Sequence, residues 1–397
     1  MNQNWIKEIQ TRVKKVPVSS GRSNKTGKVS FDDLVFVPAQ LAKRPVDYFT
    51  EEINSKTIIG GNSKKPIELQ TPIIIGAMSF GALSKEAKIA LAKASVIAGT
   101  MENTGEGGML PEEREFSKKL IIQYSTGRFG ITEEIFKKAD AIEIKIGQGA
   151  KPGQGGLLPK EKVTEEIAQV RNMPIGQDIH SPAYHPDIKN IEDLKQKINW
   201  LRELTGGVPI IIKLGAGDIE NDVKLAVRAS PDIIAIDGHE GGTGAAPEVM
   251  LNEVGVPTLA SLVKAREVLD KLGAKHELWI GGGLNKGGDF AKALALGADA
   301  VFCAFPLLIA MGCIYCQLCY LGKCPKGIAT QDSALRKNLN IEEASKNVAN
   351  FIKNCTEEIK MIAGACGKNN IHNLSKDDLQ ALTLEMAKIT KVKFIGN

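Results

Sequence analysis

PIIIKLGAGDIENDVKLAVRASPDIIAID, residues 209–237, holds one complete folding unit. Pro209–Leu214 is a short β-branched run, Asp218–Ala229 carries apolar residues at helical spacing, and Ile233–Asp237 is a second β-branched run. Strand, helix and strand in that order are the repeating unit of a parallel sheet. Outward from it the rhythm recurs: further strand-like runs lie at Ile73–Ala77, Thr100–Asn103, Leu120–Tyr124, Ala141–Ile146, Leu278–Ile280 and Ala300–Cys303, eight runs in all. Helical patterns fall between them at 85–98, after an N-cap at Ser84, and at Thr132–Ala139, Ile191–Thr205, Leu259–Leu272 and Asp289–Leu296. Eight βα repeats in this length predict an α/β fold, a (β/α)8 TIM-type barrel, with an open doubly wound sheet as the alternative.

The flanks read differently. Residues 1–70 are polar and punctuated by Pro17, Pro38, Pro45 and Pro66, which predicts an N-terminal arm or cap. The barrel is expected over 71–335, and 336–397 reads as a charged C-terminal helical appendage or oligomer contact. Residues 147–188 are too long for a simple βα loop, and an insertion of that size after a barrel strand predicts a cap over the active face.

Composition narrows the function classes. Of 397 residues, 43% are hydrophobic and 24% charged, an ordinary globular balance. A net charge of +5, from 51 Lys and Arg against 46 Asp and Glu, is spread along the chain and gives no case for nucleic acid. The N-terminus MNQNWIKEIQTRVKK has no apolar core of a signal peptide, so a cytoplasmic location is expected. The run from Ala300 to Gly322 is long enough to span a bilayer, but Pro306 and its packed cysteines fit better with a buried last strand leading into a cluster-bearing segment. No GxSxG elbow or P-loop is present, which sets aside serine hydrolases and NTPases.

Three constellations carry chemistry. Gly-rich loops follow the sixth, seventh and eighth strands, with DGHEGGTGAAP at 237–247, GGGLNKGG at 281–288 and the segment from Cys303 and Ala304 onward. Gly241, Gly242, Thr243, Gly282 and Gly283 there are candidates to cradle a phosphate-bearing cofactor, against the plainer reading of tight turns. Lys145 and Lys213 interrupt apolar strands near their C-terminal ends. A buried ammonium needs a partner, either an anionic ligand such as a flavin edge or a carboxylate such as Glu143 or Asp237. Gln123 points toward the same mouth, and Lys151 in the insertion could hold a substrate carboxylate. Cys313, Cys316, Cys319 and Cys324 form C-x2-C-x2-C-x4-C followed by Pro325, a spacing that suits an iron–sulfur cluster better than zinc. His180, His185 and His239 read as loop-fixing or substrate-positioning residues, not metal ligands.

With those residues in hand, the stretches GAMSFGALSKEA (76–87), NTGEGG (103–108), TGRFGIT (126–132), KIGQGAKPGQGG (145–156), SPAYHPDIKNIEDL (181–194), DGHEGGTGAAP (237–247) and MGCIYCQLCYLGKCPKGIATQ (311–331) resemble the FMN-binding synthase domain of glutamate synthase. The resemblance runs from about residue 30 to 335. It implies FMN and an iron–sulfur cluster on a (β/α)8 barrel, reducing the imine formed from 2-oxoglutarate and ammonia. It further implies Ala77, Met78 and Ser79 on the flavin, Lys145 as a flavin-side lysine, Glu106 and Lys151 near flavin and 2-oxoglutarate, and Cys313, Cys319 and Cys324 as ligands of a [3Fe–4S] cluster. Cys316 has no counterpart in the three-cysteine motif and would permit a [4Fe–4S] cluster instead. Leu157 stands where the family has a Gln that contacts 2-oxoglutarate, and Met109 where it has a second Glu. Residue 2 is Asn, so no N-terminal cysteine glutaminase is expected; nitrogen would come as ammonia, as another amine, or from a separate glutaminase subunit. The implied electron donor is a ferredoxin or an NAD(P)H-oxidising flavoprotein.

Overall fold

The computed structural model describes residues 29–38, 40–244 and 246–396, together with Ile9, Gln10, Val13, residues 19–21 and Ser23. All eight expected strands form, as β1 (Ile73–Ile75), β2 (Glu102–Asn103), β3 (Leu120–Tyr124), β4 (Ala141–Lys145), β5 (Ile210–Gly215), β6 (Ile233–Asp237), β7 (Glu277–Gly281) and β8 (Ala300–Cys303). They hydrogen-bond in one parallel sheet in the circular order β1-β8-β7-β6-β5-β4-β3-β2. The remaining gap, between β1 and β2, is bridged by Ile75 N–H donating to Met101 O at 3.1 Å and Thr100 Oγ1 donating to Ile73 O at 2.6 Å. The result is a nearly closed barrel, and the open-sheet alternative is set aside.

Strand alternation decides what fills it. Ile74, Ile121, Ala141, Ile211, Ala235, Trp279 and Phe302 form the interior cluster, while Ile73, Ile75, Ile210 and Ile212 face the helices. A hairpin of Thr57–Ile59 and Ile67–Leu69 adds Ile59 and Leu69 to the same cluster and plugs one end. Each large side chain buried this way contributes about 1.5–3 kcal/mol.

The outer layer is α1 (Lys85–Ala98), α2 (Pro111–Phe116), α3 (Glu133–Phe136), α4 (Ile191–Thr205), α5 (Ile219–Ala229), α6 (Thr258–Lys271), α7 (Gly287–Ala295) and α8 (Ile341–Ala365). Ser84 caps α1, accepting from Ala87 N–H, and Gly99 closes it in the left-handed conformation. The last helix corrects an expectation. Residues 336–397 are no appendage, because α8 packs between α1 and α7, burying Ala344, Val348, Ile352, Cys355 and Ile359, and so supplies the eighth wall of the barrel. Beyond it, strand Leu379–Ala381 pairs antiparallel with Leu34–Phe36 of the arm and parallel with Lys393–Phe394, joining both termini in one small sheet. No helix among the described residues is long and apolar enough to cross a membrane; Ala300–Gly322 becomes β8, a short helix Phe305–Ala310 and the cysteine loop.

Candidate active site

The alternation that fills the barrel with Ile121, Ala141 and Ile211 continues two residues further along each strand and turns polar, placing Gln123, Glu143 and Lys213 on the inner face at the C-terminal ends. Register puts Lys213 beside Lys145, and Gln123 beside Glu143. Two in-register lysines repel unless carboxylates or ligands separate them. Lys145 Nζ donates to Glu106 Oε2 at 3.0 Å and to Gln148 Oε1 at 2.9 Å. Lys213 lies 3.8 Å from Glu143 and 4.0 Å from Asp237, so both carboxylates balance its charge from beyond hydrogen-bonding distance.

These groups open into a cavity of about 270 Å³ over the barrel mouth. Ala77, Met78, Ser79, Glu106, Gln123, Lys145, Lys151, Lys213, Gly241, Gly242, Thr243, Gly282, Gly283 and Ala304 all line it. Two glycines there admit no side chain. Gly282 has φ +108 and a Cβ on it would sit 2.9 Å from Gly238 O, while one on Gly105, at φ +68, would sit 2.7 Å from Ser79 N. Cys303 departs from expectation: its side chain is 1% exposed and packs outward among the helices, because the inward position on β8 belongs to its neighbour Phe302. Only its backbone serves the site, as Cys303 O accepts from Gly76 N–H at 2.7 Å.

The insertion caps the cavity as its length predicts. Leu157–Leu158 pairs with Ile179–His180, the helix Glu165–Arg171 follows, and Leu158, Ile167 and Ile179 pack on Phe80 and Phe129 from the loops after β1 and β3. It brings in residues that motif reading missed. Arg171 is 4% exposed and lines the cavity; its Nη2 donates to Phe80 O at 2.7 Å, and its Nε has no partner among the described residues. Ser181 Oγ accepts from Gly156 N–H at 2.6 Å and lies 3.4 Å from Glu106 Oε2. The only signal for Arg171 is a basic residue closing the short helical stretch EEIAQVR, a position that surface helices commonly fill the same way.

Electrostatics favour an anionic ligand. Burial raises the Glu106 carboxyl, but Lys145, Lys151 and Arg171 outweigh it and bring it down to about 2, so Glu106 is ionised. Burial lowers Lys151, whose ammonium meets no hydrogen-bond or ion-pair partner among the described residues. Gln123 is 2% exposed and its Oε1 is likewise unpartnered.

The cysteines meet the same cavity. Cys313, Cys319 and Cys324 line it, whereas Cys316 is half-buried outside the lining. Tyr315 and Gln317, on either side of Cys316, adopt φ of +57 and +56, so the loop turns sharply about that residue. Among the described residues no three His, Cys, Asp or Glu side chains converge as on a single ion, so the preference for iron–sulfur over zinc rests on the cysteine spacing. A loop of soft thiols spaced along a cavity wall fits an iron–sulfur cluster, and the unpartnered Gln123, the lysines and the glycine cradle fit a flavin phosphate and ring.

Comparison with known proteins now decides the lineage. The model for the conserved region in glutamate synthase matches residues 2–369. This chain belongs to the glutamate synthase family. A glutamate synthase large subunit-like protein of Rhizobium meliloti (strain 1021) is 42% identical over 95% of this chain and 90% of its own length. An archaeal-type glutamate synthase [NADPH] of Thermotoga neapolitana is 41% identical over 87% and 72%. Among solved structures, flavocytochrome b2 with sulfite bound aligns with a TM-score of 0.57 at 17% identity, over 91% of this chain and 80% of that one. A mandelate oxidase mutant with an FMN adduct aligns with a TM-score of 0.53 at 15% identity, covering 86% of both chains. Those two likenesses concern the fold, the α/β barrel that this glutamate synthase family member shares with them.

Proposed function

We propose that the chain is a flavin iron–sulfur oxidoreductase of the glutamate synthase type, acting at a CH–NH2 centre by reducing the imine of 2-oxoglutarate and ammonia to glutamate. One observation carries the reading: the polar barrel mouth and the thiols of Cys313, Cys319 and Cys324 line a single cavity. FMN would lie on Ala77–Ser79, Gln123, Lys213, Gly241–Thr243, Gly282, Gly283 and Ala304, and when bound would supply hydride chemistry. Lys145, anchored by Glu106, would hold positive charge at the cofactor's edge. Lys151 and Arg171, whose donors are not fully used within the chain, would take the carboxylates of a dicarboxylate substrate. Glu106, ionised through the neutral range, would orient an imine N–H, and the cap would exclude water.

The three lining cysteines suit a [3Fe–4S] cluster, with Cys316 held in reserve for a [4Fe–4S] arrangement. Ile314, Tyr315, Leu318 and Leu321 are exposed around that loop and would receive an electron donor, a ferredoxin or an NAD(P)H-oxidising flavoprotein, in the cytoplasm. Ammonia would arrive free or from a separate glutaminase subunit. Leu157 favours a second reading. It is 53% exposed on the cavity rim, where the family has Gln, and would admit a different oxo acid, an amine adduct or a less polar acceptor.

The test is anaerobic. The FMN-loaded chain is reduced with dithionite and mixed with 2-oxoglutarate and ammonium; reoxidation with matching glutamate is expected. Reoxidation only by another amine or oxo acid would replace the first reading with the second. No reoxidation by any such pair, with electrons still passing to an artificial acceptor, would make the chain an electron-relaying subunit. Cys316→Ser is expected to leave iron content unchanged, and loss of iron would make Cys316 a ligand.

A further inference from the structure

Lys145 closes β4, so the aim of its ammonium depends on how the strand end is held. Its carbonyl lies 2.8 Å from His185 Nε2. A carbonyl only accepts, so Nε2 carries a proton; Nδ1, 2.8 Å from Arg128 Nη1, must then be the acceptor, since a guanidinium only donates. Both ring nitrogens are committed and the imidazole is neutral in a single tautomer. It is 4% exposed and stacks on Tyr124 with centroids 5.5 Å apart and planes 8° apart.

Arg128 is fixed just as fully. Its Nη1 also donates to Ser125 O, its Nη2 pairs with Asp187, and its guanidinium covers the Tyr124 ring at 3.8 Å. Asp187 in turn accepts from Tyr124 Oη at 2.9 Å and pairs with Lys197 of α4 at 3.0 Å. Arg128 sits at φ +55, a left-handed conformation that a side-chain-bearing residue keeps only where its surroundings enforce it.

We propose that His185 and Arg128 are positioning residues for Lys145. Together they clamp the carbonyl end of β4 to the exit of the insertion, which keeps the Lys145 ammonium against Glu106 and Gln148 and aimed at the cofactor side of the cavity. The inference rests on reading Lys145 as the cofactor-side cation, and the experiment separates the two.

The full chain is loaded with FMN, and three quantities are measured in each variant: the dissociation constant of FMN, the reduction potential of the bound flavin, and the melting temperature of the apo chain. Lys145→Met is expected to weaken FMN binding about tenfold and to lower the potential, since a cation at the flavin edge favours the reduced anion. His185→Leu and Arg128→Met are expected to move both quantities the same way by a smaller factor. His185→Gln, which keeps a donor near the Nε2 position, should restore most of the loss. The double variant His185→Leu/Lys145→Met should be no worse in potential than Lys145→Met alone, because both changes remove one effect. A normal potential in His185→Leu with only the melting temperature lowered would overturn the positioning role, as would additive losses in the double variant. No change from Lys145→Met would remove the premise and the proposal with it.

Discussion

Lys88, Glu102 and Glu113 have no exposed side-chain surface, and the ammonium lies 3.0 Å and 2.8 Å from the two carboxyls. One cation cannot neutralise two buried carboxylates. Burial raises the Glu102 carboxyl well above its usual range, Lys88 opposes this and Glu113 adds to it, so the triad retains a proton. Lys88 also donates to Asn103 O at 3.1 Å, two residues before the Gly105 turn that presents Glu106. Lys88→Met therefore leaves two carboxyls without a cation, and urea denaturation is expected to show a loss of about 3–5 kcal/mol. A loss below about 1 kcal/mol would mean that apolar packing replaces the triad without cost. His185 makes a second residue-scale prediction. Burial first, then Arg128, lowers it to about 4, with Lys197 adding to this and Asp187 and the Lys145 carbonyl opposing it. The unfolded chain binds a proton near 6.5 and the folded chain only near 4, so stability falls as pH drops through that window, by about 3 kcal/mol at most. In His185→Gln this acid-limb loss should vanish, which denaturation at pH 7, 5.5 and 4 would detect. Nothing in the sequence singled out Lys88, because a lysine in a helix is ordinarily solvated, and His185 was legible only as a loop-fixing residue.

At the scale of elements, the eight strands were readable because short β-branched runs bounded by turn residues have few other uses. Strand parity was harder. Cys303 follows Phe302 at the rim, and nothing in AVFC says which of the two faces in until Ala300 is seen paired with Trp279 inside the barrel. The place of α8 is not legible in the sequence, because an amphipathic stripe of Ala, Val and Ile looks the same whether it covers a barrel or another subunit. The plug hairpin shows a further consequence of local burial. Glu277 opens β7, its Oε1 accepting from Gly61 N–H at 2.9 Å while its Oε2 has no partner among the described residues. Burial raises the carboxyl to about 7 against an ordinary 4.5. A raised folded value means the stabilisation is complete below about 4.5 and is lost as pH rises through about 7. Glu277→Gln keeps the acceptor for Gly61 and removes the charge, so a higher stability is expected at pH 8, by up to about 3 kcal/mol and seen as a raised melting temperature, with a much smaller change at pH 5. An equal shift at both values would show that Glu277 is not protonated in the folded chain.

At the scale of the whole molecule, the cavity is assembled by loops from all round the barrel, so its geometry depends on closure, and closure depends on the outer wall. That wall is incomplete without α8. Removing it uncovers the faces of α1 and α7 that pack on this helix and takes away the buried Val348, Ile352 and Ile359, each of which contributes about 1.5–3 kcal/mol. The sum is comparable with the whole stability of a domain, about 5–15 kcal/mol. The strand Leu379–Ala381 would go as well, leaving Leu34–Phe36 of the arm unpaired. A chain ending at residue 336 is therefore expected to lose cooperative thermal unfolding and to associate through its exposed helices, which circular dichroism and sedimentation would report. Deleting 384–396 instead removes only the helix Leu384–Thr390 and the strand Lys393–Phe394, and should leave a folded chain with a lower melting temperature. If the chain ending at 336 folded as a cooperative monomer, the barrel would be complete without α8 and the tail would be an appendage after all. If deletion of 384–396 proved as damaging as the longer one, the terminal sheet and not α8 would be what holds the wall closed.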